Sequence, residues 1–96
     1  MRVLARIELL PTAAGGRDDP FIGSFRPNHR FDLDGFVIGE VEQPGGALGP
    51  GESADLIVNF LPETAPTQLT AGMEWQIYDG PKHLIGHGTV LQVLSP

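Results

Sequence analysis

The sequence predicts an all-β fold, an antiparallel sandwich or small barrel with closure the favoured solution, on three observations. Thirteen glycines and nine prolines interrupt the chain so often that no window of about twelve residues keeps helical periodicity. The segments between them alternate apolar and polar residues with the two-residue period of a strand. Six or seven such segments are separated by turn signals, and closing them into a barrel protects edges that an open sheet would expose.

Taken in order, residues 3–10 place Val3, Ala5, Ile7 and Leu9 on one face and Leu4, Arg6, Glu8 and Leu10 on the other, as a half-buried strand requires. Residues 11–19 hold the Gly15-Gly16 pair and read as a loop. Residues 21–31 are extended but broken at Pro27, which has no N–H for a ladder and marks an edge, a bulge or a strand end. Residues 36–42 form a strand that stops at Pro44-Gly45-Gly46, and a loop runs from there to Gly49-Pro50-Gly51. Residues 54–61 alternate again, with Leu56, Val58 and Phe60 opposed to Asp55, Ile57, Asn59 and Leu61, and read as a central strand. Residues 62–71 are a connecting loop with room for one short turn of helix. Residues 73–78 and 84–94 flank Asp79-Gly80-Pro81-Lys82-His83, a hairpin in which Asp-Gly suits the turn.

Ninety-six residues close a single core, so one domain over residues 1–96 is expected. No apolar run approaches the roughly 18 residues of a membrane span, and residues 1–10 lack the continuous apolar stretch of a secretory signal. Cysteine is absent, which removes disulfides and thiolate chemistry and fits a reducing, cytoplasmic setting. Twelve carboxylates against six Lys and Arg leave a net charge of −6, a sign that repels a phosphate backbone. Arg17, Arg26 and Arg30 are clustered, but Asp18, Asp19, Asp32 and Asp34 lie beside them.

Motifs that carry chemistry are sparse. The single lysine, Lys82, sits in a hairpin, so a phosphate-binding loop is not expected. Asp32-Leu33-Asp34-Gly35 begins like a calcium loop, but its glycine comes too early and Gln43 stands where the closing glutamate belongs. His83 and His87 are four apart, a metal-sharing spacing on a helix that separates the rings by roughly 13 Å on a strand. Ser24, Ser53 and Ser95 lie in no nucleophile elbow. Glu40 and Glu42 share a strand face and, with the histidines, are the residues a hydrolase reading would use. The expectation is a non-enzymatic protein with no metal and no cofactor. The aromatic residues Phe25, Phe31, Phe36, Phe60, Trp75 and Tyr78 are assigned to packing, with only the segment from Phe25 to Phe31 having the texture of a base-stacking surface.

Ordered segments along the chain resemble the C-terminal, third domain of translation elongation factor Tu. These are Arg6-Ile7-Glu8-Leu9-Leu10, Gly15-Gly16-Arg17, Pro20-Phe21, Gly23-Ser24-Phe25-Arg26-Pro27, Val37-Ile38-Gly39, Pro50-Gly51-Glu52, Gly72-Met73-Glu74-Trp75-Gln76-Ile77 and Ile85-Gly86-His87-Gly88-Thr89-Val90. The resemblance implies a six-stranded antiparallel closed Greek-key barrel, here as a stand-alone domain without the family's GTPase, hence with no nucleotide. It also implies binding positions at Arg17, Arg26, Asn28, Ile38 and Asp79, which in the family face the tRNA T stem. Asn28 replaces a glutamine there, Ile38 replaces a threonine and so loses its hydroxyl, and Asp79 replaces a glutamate whose preceding arginine has become Tyr78, departures that weaken phosphate contact where cations are needed. The leading expectation is therefore an interaction module that binds a protein partner or a second copy. An RNA-binding domain for a tRNA-like stem is the alternative, and no membrane association is expected.

Overall fold

A computed structural model of the chain describes residues 1–32 and 35–95. Leu33 and Asp34, part of the segment that begins like a calcium loop, lie outside the described residues. The strands are β1 (Arg2–Leu9), β2 (Phe21–Ile22), β3 (Asn28–Arg30), β4 (Val37–Glu42), β5 (Ala47–Leu48), β6 (Ser53–Phe60), β7 (Glu74–Asp79) and β8 (His83–Ser95). Six of them close an antiparallel barrel in the order β1-β6-β4-β3-β7-β8, while β2 and β5 form a separate ribbon. β3, β4 and β6 neighbour one another in turn, and β1 returns to lie beside β6, the Greek-key arrangement. Among the described residues no helix is long and apolar enough to cross a membrane.

Alternation decides which side chains fill the barrel. Val3, Ala5, Ile7 and Leu9 of β1 are all buried, as are Val58 and Phe60 of β6 and Trp75 and Ile77 of β7. Gly88 stands opposite Trp75 in the β7–β8 register, and a Cβ there would run into the indole ring. A small inward residue on one strand thus makes room for the largest on its neighbour. Gly39 does the same on β4, where a Cβ would come 2.8 Å from the Phe60 ring.

The sequence places one residue on neither list of core candidates that the structure buries completely. His29 lies inside the barrel, where it accepts from the Trp75 indole N–H at Nδ1 (2.9 Å) and meets the Gly39 carbonyl at Nε2 (3.1 Å). An indole N–H only donates, so Nδ1 is unprotonated and Nε2 carries the proton that it donates to Gly39. Phe31, Phe60 and Trp75 pack around this pair with ring centroids 5.1–5.6 Å apart.

The irregular elements depart from the sequence reading in three places. Residues 21–31 are broken at Pro27, as expected, between a single Phe25–Val41 bridge and β3, but also before that bridge, where Gly23 at φ +74° ends β2. Residues 47 and 48, read as loop, pair with β2 as Phe21–Leu48 and Ile22–Ala47. Helical turn geometry occurs at Thr12–Ala14 within the first loop, closed by Gly15 at φ +94°, while residues 62–71 form turns without helix. Buried Gln43 ties the ribbon to the barrel. Its side-chain amide faces the carbonyls of Phe21 (3.4 Å) and Gly23 (3.3 Å), and its backbone N–H donates to the Ser24 hydroxyl (2.8 Å).

Candidate functional site

Of the five positions, Asn28, Ile38 and Asp79 lie on β3, β4 and the end of β7, while Arg17, in the loop after β1, and Arg26, just before β3, reach the same strands through ion pairs with Asp79 and Glu40. Antiparallel pairing sets Asn28 opposite Tyr78 on β7 and opposite Ile38 on β4, so these three side chains make an outward row across the strands. Asn28 Nδ2 donates to the Gly80 carbonyl (2.9 Å) and holds the β7–β8 hairpin, whose turn uses Gly80 at φ +74°. Asp79 accepts from Arg17 at 3.2 Å. The Arg17 guanidinium also lies 3.8 Å above the Phe21 ring and donates to the Asp19 carbonyl, so residues 11–20 are clamped against the hairpin. His83, one of the two histidines considered for metal, contacts the Gly15 carbonyl at 2.7 Å in the same clamp.

At the other end of the row, Ile38 is 56% exposed and Leu61 44% exposed. They are held together by the Leu61 N–H donating to the Ile38 carbonyl (2.8 Å), while the Ile38 N–H donates to the Thr64 hydroxyl (3.0 Å). A shallow depression of about 410 Å³ lies here, bordered by Arg26, Ile38, Glu40, Asn59, Leu61 and Pro62. Leu61 and Pro62 were not among the carried-over positions. The signal for Leu61 was present in the alternation of residues 54–61, which sets it on the face opposite Val58 and Phe60.

The charges of this face are already matched. Arg26 meets Glu40 at 3.1 Å and Arg17 meets Asp79 at 3.2 Å. Arg30 donates to the Asp32 carbonyl at 2.9 Å. On the adjoining surface Arg2 meets Glu42 at 3.2 Å and Arg6 meets Asp55 at 3.0 Å. The carboxylates of the hydrolase reading are thus both engaged by arginine. Hydrogen bonds from Asn59 and Arg2 hold the Glu42 carboxyl below its ordinary value, so it stays ionised instead of being held as a proton donor.

A larger open groove of about 590 Å³ lies around β7, β8 and β1, with Glu8, Arg30, Asp32, Glu74, Gln76 and His87 on its walls. His87 therefore stands away from Glu40 and Glu42, on a different side of the barrel. Phe21, Phe25, Leu48 and Leu69 turn inward. Phe25, Leu48 and Leu69 are buried, and half-buried Phe21 stacks on Phe25 at 3.9 Å. Among the described residues the large exposed apolar side chains are Ile22, Ile38, Leu61, Val93 and Leu94, of which Ile38 and Leu61 are joined by a backbone hydrogen bond. No family model matches this chain.

Proposed function

We propose that this chain is a non-enzymatic interaction module, a barrel of the kind found as the third domain of elongation factor Tu, and that it docks another protein on the outer face of β7, β3 and β4. The observation that carries the reading is the pairing of Ile38 and Leu61, both large, apolar and exposed, beside arginines already matched by carboxylates. An apolar centre with a polar, internally neutralised rim has the composition of a protein interface, and desolvating it costs little. The six-stranded antiparallel closure supports the likeness to that barrel. The lack of cysteine supports a cytoplasmic setting.

The RNA alternative draws its support from the gathering of Arg17, Arg26 and Asn28 on one side, with the Arg26 side chain 77% exposed. It is the weaker reading because Glu40 and Asp79 compete with phosphate for those same guanidinium groups. Replacing Ile38 and Leu61 together by Asp tests the choice, with Ile22→Asp as a control of equal exposed apolar character. A specific protein retained by the wild type and by the control, and lost roughly tenfold by the double variant, is the expected result. Equal retention by all three chains would place the contact elsewhere.

A further inference from the structure

We infer that β3 is the acid-operated seam of the barrel: protonating His29 inside the wall breaks the hydrogen bond that its Nδ1 accepts from the Trp75 indole and releases β3 from β7 and β4 before the rest of the sheet opens. Among the described residues β3 has short ladders on both sides, pairing with β4 at Asn28–Ile38 and His29–Val37 and with β7 at Asn28–Tyr78, His29–Ile77 and Arg30–Gln76. β1, by contrast, is paired along its length from Arg2 to Glu8 with β6 and from Arg2 to Leu9 with β8. The His29 side chain supplies β3 with a crosslink to each neighbour, to β7 through Trp75 and to β4 through Gly39.

The half of that crosslink made with Trp75 exists in one protonation state only, whereas the Nε2–H bond to Gly39 survives protonation. Trp75 offers His29 a donor and has no lone pair to return, so a proton on Nδ1 would set two N–H groups against each other. Among the described residues no countercharge answers it from within the barrel. The charged side chains of the elements packed around His29 are Arg30 on β3, Glu40 and Glu42 on β4, Asp55 on β6, and Glu74 and Asp79 on β7. Each stands on the outward or half-buried side, and Glu40, Glu42, Asp55 and Asp79 are occupied by Arg26, Arg2, Arg6 and Arg17. The groups in contact with the ring, Trp75, Phe60 and Gly39, are uncharged. Burial accordingly lowers the His29 pKa to about 4 against the partial opposition of the Gly39 bond.

Opening this seam uncovers Trp75, Phe60 and Phe31, and disturbs the Tyr78–Asn28–Ile38 row built on the same strand pairs. The consequence for docking rests on the function proposed above; the opening itself does not. Amide exchange followed by NMR on the wild-type chain, corrected for intrinsic rates, tests it between pH 7 and 4.5. Protection of residues 28–30 and 37–39 should fall by up to about tenfold per pH unit below the ordinary histidine range, while β1 and β8 amides exchange more slowly at every pH. The indole N–H signal of Trp75, the single tryptophan, should change in step. His29→Gln should flatten this pH dependence. Exchange of β3 together with β1 at all pH values, or an indole signal that ignores the pH while β3 deprotects, would overturn the inference from the wild-type chain, whether or not the variant folds.

Discussion

His29 illustrates how one residue ties local chemistry to the stability of the whole. Its proton affinity is set by burial inside an aromatic shell, which favours the neutral ring, with the Gly39 carbonyl pulling weakly the other way. The unfolded chain takes up the proton near the ordinary value of 6.5, and the folded chain only near 4. Its contribution is complete above pH 6.5 and is lost as the pH falls towards 4, with a slope of up to about 1.4 kcal/mol per pH unit and a total on the order of 3 kcal/mol. Urea midpoints measured at pH 7 and pH 5 should fall accordingly in the wild type and change less in His29→Gln. Gly88 carries a second prediction at this scale. Because a Cβ there would overlap the Trp75 ring, Gly88→Ala should destabilise the barrel by about 1–3 kcal/mol and alter tryptophan fluorescence, measured by chemical denaturation. An unchanged midpoint would mean that the indole can move aside at no cost.

Among the elements, the long strands were legible in the sequence and the short ones were not. Val3, Ala5, Ile7 and Leu9 in β1, and Val58 and Phe60 in β6, announce their burial by alternation, because a sheet with one wet face sorts residues by parity. The β7–β8 hairpin was marked by Asp79-Gly80. β5 has two residues, too few for any period to show, and exists because Gln43 and Gly46 bring it beside β2. His29 escaped notice for a different reason: alternation through Phe25, Pro27 and Phe31 sets it on the inward side, but a polar side chain gives no apolar signal. Of the candidate site, the five positions were found by resemblance, while the paired exposure of Ile38 and Leu61 depends on a hydrogen bond between residues 23 apart in sequence (61 against 38). Gln43 supports the prediction at this scale. Gln43→Leu removes the amide that faces the Phe21 and Gly23 carbonyls, so it should cost about 1–2 kcal/mol and speed amide exchange in β2 and β5 with little effect on β1. Uniform loss of protection across the barrel would show that the ribbon is no separate unit.

At the scale of the molecule, charge and closure act together. A closed ladder leaves the barrel strands few open edges, so the docking proposed above falls to side chains on the outer wall. The chain carries a net charge of −6, and its arginines at positions 2, 6, 17 and 26 are matched by carboxylates at 3.0–3.2 Å. Such exposed pairs contribute little to stability, but they remove the unbalanced positive field that would gather a nucleic acid. Exposed apolar residues then become the part of the wall with most to gain from a partner. Replacing Arg26 by Ala should therefore leave protein docking changed by less than about tenfold, as expected for a rim residue in a competitive surface pair, with Ile38 and Leu61 responsible for the larger share. Binding titrations of the two classes of variant against the captured partner compare them directly.

The measurement closest to the central claim is photo-crosslinking in cells from p-benzoylphenylalanine placed at position 38, followed by separate protease and ribonuclease digestion of the adduct. A discrete adduct that protease destroys and ribonuclease leaves intact is the predicted result. An adduct trimmed by ribonuclease, or none from position 38 while one forms from position 22, would contradict the account.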